Sequence, residues 1–502
     1  MGVSEIAGLV IADPDARPQP ALVRVSEGRI AEVKPLTEPF ACTLRRKSSD
    51  WPDKSDIVIV PGFIDSHCHP LETGLALLFP DLKGCRTIAE VLARLADGMS
   101  RVMDTGLLFG FNLEPELLAE RRYPTRQELD RVAGKIPSLV YRVDGHSGVV
   151  NSAGLSLVSG GSDLSKEELE SGLLRGRAYE QASASFKRRL GPDVVLEALI
   201  LAGRLAAARG ITTIGAMVGS PEYEDREWAV LLDGLARMAV TAIPFMQTWE
   251  PERAKSFGQP RVGGCLLIDG SFGSRTAALT ADYADEKGNL GVLYQSDERL
   301  TGFISEANRL GLQTAFHAIG DRAIEQLIRC HKKAKTELGN PLRHRIEHAE
   351  LLSSELIQEI AALGLVLAVQ PEFEAIWGGP EGMYWSRLDK RWRMTNPYRS
   401  LTSAQVILAG SSDSPITEFE PLGAIRAAVN HPNEHERVAP SQALALFTTN
   451  AAYSLFLEKR TGRVAPGMDA DLTILSGDPR TEGECRVIAT YRQGRKIYEE
   501  QR

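Results

Sequence analysis

The chain has 502 residues, of which 43% are hydrophobic and 25% charged, and its formal net charge is -8. This composition is typical of a globular enzyme, and the negative charge argues against nucleic acid or an anionic membrane as the partner. No apolar run approaches the ~20 residues of a membrane span, and Met1–Asp13 lacks the pattern of a secretory signal. Six cysteines without Cys-x-x-Cys spacing indicate neither a zinc ribbon nor a disulfide framework. We therefore expect a cytoplasmic protein that binds a small molecule, with a homodimer as one open alternative for its assembly.

Both ends of the chain carry short β patterns. Ala21–Val25 and Arg29–Val33 flank a Ser-Glu-Gly turn and predict a hairpin. A similar pattern recurs near the C-terminus, between Ala470 and Tyr491. Since the two ends enclose a long α/β middle, we predict that residues 1–56 and 461–502 meet in one small β-sandwich domain.

The middle of the chain alternates apolar, strand-like runs with amphipathic helical segments, such as residues 321–338 and 353–362. Eight such runs can be counted, starting with Asp56–Val60 directly before a Pro-Gly pair. The other seven are Ile211–Gly215, Thr241–Phe245, Cys265–Asp269, Thr314–His317, Arg345–His348, Leu365–Val369 and Val406–Gly410. Eight βα units predict an α/β fold, a (β/α)₈ barrel of the TIM type, formed by residues 57–70 and 191–460.

Residues 71–190 are left over as an insertion after the first barrel strand. The insertion has strand-like pieces of its own, Leu107–Phe111 and Val140–Val143, and the second leads directly into Asp144-Gly145-His146-Ser147. Loops that fold over a site tend to set specificity and to exclude water. We expect the insertion to cover the barrel mouth and to bring His146 to the site.

Polar residues that close the apolar strands are the first candidates for chemistry, because a TIM-type barrel carries its site at the C-terminal strand ends. His67 and His69 follow the first strand, and side chains two apart on an extended segment point the same way. His317, His348 and Asp413 close three other strands. Four imidazoles and one carboxylate at one end of the barrel suit a divalent ion, with zinc as the best fit.

Each of these residues has an ordinary alternative when it is taken alone. A single strand-end histidine is usually a hydrogen-bonded structural residue, and a strand-end aspartate is often a helix cap. The coincidence of five such residues at matching strand ends favours a metal site. By contrast, we predict surface positions for the histidines in polar, helix- or loop-like surroundings, which are His331, His344, His431 and His435.

Six motifs and the tail Gly462–Leu472 resemble the amidohydrolase superfamily, and more narrowly its YtcJ-like branch, amidohydrolase family 3. The resemblance covers nearly the whole chain and keeps the order of the motifs. The motifs are Pro61–His69, Asp144–Ser152, Asp269–Ala277, His317–Asp321, Arg345–His348 and Gly410–Pro415.

The resemblance implies a role for each candidate residue. The implied metal ligands are His67, His69, His317, His348 and Asp413. Asp413 would also handle the proton of the hydrolytic water, because a divalent ion lowers the pKa of water towards ~7 and a nearby carboxylate can take the proton. His146 and Arg275 would face the substrate or the developing oxyanion, and both also fit purely structural roles.

The chain departs from the family pattern at two positions. Many family members have a lysine four residues before Asp269, which bridges two metal ions when carbamylated, and here that position is Cys265. A thiolate lacks the two oxygens of a carbamate, although it is a good zinc ligand. The glutamate of a Gly-x-Leu-x-Glu pattern is replaced by Gly176. We expect either one ion held mainly by the histidines or a zinc site that recruits Cys265, with a second ion and a plain core cysteine as open alternatives.

Together these features predict a metal-dependent hydrolase that cleaves a carbon-nitrogen bond of a small molecule, such as an amide, an N-formyl group, a carbamate or a cyclic amide. A deaminase of an aminated ring is one alternative, because it can use the same barrel and the same metal chemistry. A binding protein without turnover is another, motivated by the missing lysine and glutamate. Four aromatic residues either line an apolar pocket wall or pack against the barrel: Trp377, Tyr384, Trp385 and Trp392.

Overall fold

The computed structural model describes residues 4–36, 57–158 and 164–501, which form three β-sheets. The central sheet has eight parallel strands whose spatial order follows the chain. Its strands are Phe63–Cys68, Ile211–Val218, Thr241–Met246, Arg261–Leu267, Gln313–Ala318, Arg345–His348, Val366–Val369 and Leu408–Gly410. The last strand meets the first, since the Ser66 hydroxyl donates to the Gly410 carbonyl at 2.9 Å and the Asp413 amide donates to the His67 carbonyl at 2.9 Å. The predicted TIM-type barrel is confirmed.

Helices connect the barrel strands, and their limits follow local signals. The helix Asp297–Leu310 begins after Ser296, whose side chain accepts a bond from the Arg299 amide, and ends at Gly311 in the left-handed region. The helices of the barrel are Pro70–Leu78, Pro192–Ala208, Asp225–Ala236, Pro251–Ser256, Asp297–Leu310, Asp321–Lys333, Ser354–Leu363, Pro371–Trp377, Met383–Leu388, Tyr398–Ser403, Pro421–Val429, Pro440–Leu446 and Thr449–Ser454. Within the described ranges, no helix has both the length and the apolar character needed to cross a membrane.

Segments from both ends of the chain share a second, seven-stranded sheet, as predicted, and it is hydrogen-bonded as one continuous sheet. Its strands in spatial order are Arg495–Glu499, Val487–Arg492, Leu472–Leu475, Val58–Pro61, Ser4–Val10, Gln19–Ser26 and Arg29–Pro35. Val23, Ile59 and Leu472 are fully buried in its core, so distant parts of the chain stabilise each other there. Residues 1–3, 37–56 and 502 of the predicted terminal domain lie outside the described residues.

The predicted first barrel strand was wrong. The apolar run before the Pro-Gly pair forms Val58–Pro61, which pairs antiparallel with Leu472–Leu475 and parallel with Ser4–Val10 in the terminal sheet. The barrel strand is the next segment, Phe63–Cys68. Both strands are completely buried, so neither shows the alternation of buried and exposed residues that would reveal which sheet it joins. Only Val58–Pro61 is wholly apolar, since Phe63–Cys68 contains Asp65, Ser66 and His67, and the apolar run therefore drew the prediction one strand too early.

The insertion contains the third sheet, with strands Leu108–Leu113, Ser138–Arg142, Ser147–Val150 and Leu173–Arg175. Its helices are Ile88–Asp97, Val102–Thr105, Arg126–Ala133, Ser152–Val158, Lys166–Ser171 and Gly176–Lys187. Short 3₁₀ turns lie at Gly98–Arg101 and Pro115–Leu117, with others in the barrel at Asp389–Met394 and Glu434–Glu436. The ion pair between Lys187 and Glu72, at 2.5 Å, joins the last helix of the insertion to the helix Pro70–Leu78, which packs on the barrel helix Pro192–Ala208.

We expect Gly74→Ala to destabilise the fold by about 1–3 kcal/mol. Gly74 lies where the helix Pro70–Leu78 crosses Pro192–Ala208, and a methyl group there would overlap the backbone of Ala198, which cannot move aside easily. The matched control is Gly302→Ala, in the helix Asp297–Leu310, where no atom lies within 4 Å of the added methyl. That change should stabilise the protein by about 0.5–1 kcal/mol. Urea unfolding of both variants measures the difference, and equal stabilities would contradict the close helix crossing.

Candidate metal centre

The structure brings six of the predicted site residues together at the C-terminal ends of the barrel strands. They are His67, His69, Cys265, His317, His348 and Asp413. One carboxylate oxygen of Asp413 lies 3.1 Å from Nε2 of His67 and 3.2 Å from Nε2 of His69. The rings of His317 and His348 are 4.5 Å apart, and His348 is 5.2 Å from the ring of His67. Residues up to 346 positions apart therefore form one cluster, as the strand-end argument predicted.

Three overlapping groups within this cluster have ligand atoms close enough to hold an ion. In each group all ligand atoms lie within 4.8 Å of one another. The groups are His67, His69 and Cys265; Cys265, His317 and His348; and His67, His348 and Asp413. Nitrogen, sulfur and carboxylate oxygen are the donors that zinc takes in proteins, so the residues fit a divalent ion of this kind.

The backbone turns sharply at two of these residues. His348 and Asp413 both adopt left-handed conformations, with φ of 72° and 58°. Such conformations are uncommon for residues other than glycine and cluster at functional sites. His348 is the last residue of the sixth strand, and Asp413 lies three residues beyond the end of the eighth, where the chain leaves the sheet. These strained backbone conformations set the directions in which the side chains of His348 and Asp413 leave the chain.

Hydrogen bonds to neighbouring groups orient three of the histidines, and the sequence patterns did not predict these partners. Nδ1 of His67 lies 2.5 Å from the carboxylate of Glu347, and Nδ1 of His348 lies 2.9 Å from the amide oxygen of Gln370. Nε2 of His317 is 3.2 Å from the carbonyl oxygen of Gly270. Each imidazole thus uses one nitrogen for the protein and keeps the other for a ligand, the arrangement typical of metal sites. The acidic residue directly before His348 was the available signal.

Several buried polar atoms in the cluster have no hydrogen-bond partner among the described residues. They are Nε2 of His67, Nε2 of His348 and Oδ1 of Asp413. Buried polar atoms are almost always paired, so three orphaned atoms in one place require an explanation. All three are lone-pair donors that face the same space, and a cation there would satisfy them together. This observation supports a metal site independently of the residue types.

Electrostatics keep the two acidic ligands in their anionic forms. Burial alone would raise the pKa of the Cys265 thiol, but the surrounding imidazoles, His317 first, hold it well below the usual range. Burial would likewise raise the pKa of Asp413, but the imidazoles of His67 and His69 beside its carboxylate hold this pKa well below its ordinary value. A thiolate and a carboxylate are the forms that bind metal.

The insertion contributes His146, whose ring lies 5.0 Å from the ring of His317. Its loop is held by Asp144, which pairs with Arg142 at 2.6 Å and accepts bonds from Ser271 and Ser274 at 2.8 and 2.6 Å. Burial, reinforced by the nearby His317, lowers the pKa of His146 to about 4. The imidazole is therefore neutral near pH 7 and can donate or accept a hydrogen bond. The expectation that this loop reaches the site is met.

Arg275 is not brought into the cluster. Its guanidinium pairs with Asp285 at 2.9 Å and with Glu286 at 3.5 Å, and it does not line the cleft beside the cluster. The guanidinium groups that do line the cleft belong to Arg142 and Arg387. The predicted contact between Arg275 and substrate has no support in this geometry.

Three histidines predicted to be on the surface are buried. His331, His344 and His431 are at most 1% exposed, and each uses Nδ1 in a bond within its own neighbourhood. Only His435 of the four is exposed. The polar sequence around them was misleading, because a polar helix or loop can still bury one residue against the barrel.

The cleft beside the cluster of candidate ligands has two lobes that meet at His317, Asp413 and His146. The polar lobe lies against the insertion and is lined by Glu72, Tyr141, Tyr179, Glu180, Ser183, Lys187 and Gln247. The aromatic lobe lies on the other side and is lined by Phe272, Ile319, Glu350, Phe373, Trp377, Met383 and Tyr384. A molecule bound across the cluster would therefore have a different environment on each side.

The aromatic residues singled out in the sequence divide between the two alternatives. Trp377 and Tyr384 line the aromatic lobe, whereas Trp385 and Trp392 pack behind it in a small apolar cluster. Gly176, which replaces the family glutamate, begins a helix beside Tyr294 and does not line the cleft. Glu180, one turn later on the same helix, lines the polar lobe.

Comparison with known proteins agrees with this geometry. The model of the amidohydrolase family, Amidohydro_3, matches residues 55–498. The chain belongs to the amidohydrolase family. Family membership makes it a hydrolase that acts on carbon-nitrogen bonds and depends on a divalent metal.

Two relatives and one solved structure illustrate the similarity of this amidohydrolase to others. YtcJ of Bacillus subtilis (strain 168), an amidohydrolase by name, is 29% identical over 84% of each chain. The N-substituted formamide deformylase of Arthrobacter pascens is 27% identical over 95% of this chain and 94% of its own. A crystal structure of a metal-dependent hydrolase from Pyrococcus horikoshii superposes with a TM-score of 0.75, at 24% identity, over 96% of this chain and 98% of the other.

We expect Gln370→Ala to weaken metal binding by about 10–100-fold, because His348 would lose the partner that orients its ring. The matched control is Gln326→Ala, which removes another buried glutamine, bonded to Gln295 and Asp297 far from the cluster. Competition with a chromogenic chelator measures the affinity. Equal loss in both variants would mean that the effect is general destabilisation and not ligand orientation.

Proposed function

We propose that this amidohydrolase hydrolyses an amide or N-formyl bond in a small molecule, with Asp413 as the residue that moves the proton and zinc as the metal. The supporting observation is the carboxylate of Asp413. One of its oxygens is buried, lies within 3.2 Å of two imidazoles and has no hydrogen-bond partner among the described residues. A carboxylate held anionic at the junction of a two-lobed cleft is suited to accept a proton from attacking water.

The chemistry divides between the metal and the side chains. A bound divalent ion would polarise the scissile carbonyl and lower the pKa of water towards ~7. His67, His69, His317 and His348 would hold it, with Cys265 and Asp413. Asp413 would accept the proton of the attacking water and deliver it to the leaving nitrogen, so that an acid and an amine result. His146, neutral and facing the cluster from the insertion, would hydrogen-bond to the substrate carbonyl oxygen.

Zinc is favoured by the ligand chemistry. Four imidazoles with a thiolate are soft to borderline donors, which zinc prefers over the oxygen ligands that suit magnesium or calcium. The family relationship supports hydrolysis, and a relative named for deformylation of N-substituted formamides supports the amide and N-formyl classes. The first experiment is a zinc-supplemented screen of N-formyl, N-acyl and N-carbamoyl compounds. Ammonia release from aminated rings, without amide hydrolysis, would instead favour a deaminase.

We expect Asp413→Asn to lower kcat by about 10²–10⁴-fold on whichever amide proves to be a substrate. The amide side chain keeps the shape of aspartate but cannot accept a proton from water. The matched control is Asp233→Asn, which removes an exposed carboxylate paired with Arg237 on a barrel helix and should leave kcat unchanged. Steady-state kinetics provide the measurement, and an unchanged kcat in the Asp413 variant would refute the proton-transfer role.

We also propose that the aromatic lobe binds an apolar or aromatic substituent of the substrate. Trp377 packs edge-to-face on Phe373, with ring centroids 4.8 Å apart, and both line this lobe. Trp377→Ala should raise KM about 10-fold for amides with an aryl substituent and change KM little for those with a methyl group. Trp385→Ala, which removes a nearby tryptophan outside the lobe, is the control. Equal effects on aryl and methyl substrates would argue against this lobe as the binding site.

A further inference from the structure

We propose that Cys265 is a ligand shared by two metal ions, so that this chain builds a two-ion centre with a bridging sulfur where the family resemblance implies a carbamylated lysine. The proposal rests on the metal-dependent function inferred above. The sequence left open one ion held mainly by the histidines and a zinc site that recruits Cys265. The position of Cys265 relative to the four histidines favours a shared ligand.

The sulfur lies between two pairs of histidines. Cys265 forms one potential ligand group with His67 and His69 and a second with His317 and His348. Its sulfur is 3.7 Å from Nδ1 of His317. Ligand atoms around one tetrahedral zinc ion lie roughly 3.3–3.8 Å apart, given bonds of about 2.0–2.3 Å. Cys265 therefore belongs equally to a group on the first strand and to a group on the fifth and sixth strands.

The number of donors also favours two ions. Four imidazoles, one carboxylate and one thiolate are six protein ligands, whereas a catalytic zinc ion takes about three and keeps an open position. Two ions that share Cys265 use all six. His67, His69 and Asp413 would serve the first ion, since Asp413 lies within 3.2 Å of both imidazoles. His317 and His348 would serve the second.

The fourth barrel strand is irregular at this position. Gly263 and Gly264, directly before Cys265, have φ of 95° and 85°, and the pairing with the fifth strand shifts register between Gly263 and Leu267. Bulges next to active sites commonly re-aim a side chain. A cysteine is much shorter than a carbamylated lysine, and from this irregular stretch its sulfur reaches the centre of the ligand cluster.

Cys68 provides a matched control within the same motif. It stands between His67 and His69 in the sequence, is fully buried, and directs its sulfur to the Gly215 carbonyl at 3.6 Å. It belongs to none of the potential ligand groups. Removing this thiol should leave metal binding unchanged.

The test is titration of the metal-free full-length protein with Co²⁺, followed in the near-ultraviolet, where a thiolate bound to Co²⁺ gives a charge-transfer band. The band should grow through both the first and the second equivalent, and mass spectrometry of the desalted protein should find about two ions per chain. Cys68→Ala should behave like the wild type. Cys265→Ala should lose the band and retain at most one tightly bound ion.

Three results would overturn the proposal. They are a band that stops growing after one equivalent, a wild-type protein that binds only one ion, and two tightly bound ions in Cys265→Ala. The wild-type titration decides the question even if Cys265→Ala fails to fold. None of these measurements uses a substrate, so a failure to find amide hydrolysis would count against the proposed function and not against the shared ligand.

Discussion

The site depends on the closure of the barrel, in which the eighth strand and the loop that follows it are hydrogen-bonded to the first strand. The Asp413 amide donates to the His67 carbonyl at 2.9 Å, and the Ser412 amide donates to the Asp65 carboxylate at 3.1 Å. Because these bonds tie the two strand ends together, a carboxylate and a histidine pair from opposite ends of the sequence meet at fixed distances. Without closure, the first and last ligands would belong to opposite edges of an open sheet.

A buried charge network supports the first strand beneath the cluster. Arg345 and Glu347 are both fully buried and ion-paired at 2.5 Å, and Glu347 also bonds to His67. Burying charges is costly unless every partner is satisfied, so such a network is weak as a source of stability. The network instead orients the imidazole of His67, because Glu347 holds its Nδ1 and leaves Nε2 facing the other candidate ligands.

The insertion completes the site without contributing a metal ligand. Asp144 joins its loop to the barrel through Ser271 and Ser274, so His146 and the cleft walls are held relative to the strand ends. The same loop lines both the polar lobe and the aromatic lobe. A cleft of this form can distinguish the two halves of a substrate, and a metal held at the junction would act on the bond between them.

The sequence by itself determined the fold class and the histidine and aspartate candidates, because eight βα units and polar strand ends are local patterns. It could not show that Val58–Pro61 joins the terminal sheet, that His331 is buried or that Arg275 pairs with Asp285, since these depend on contacts between distant segments. The partners Glu347 and Gln370, and the position of Cys265 between two histidine pairs, were likewise decided only by the tertiary structure. The physical reason is that strand periodicity specifies which residues end a strand, whereas the distances between side chains on different strands are set by barrel closure and packing.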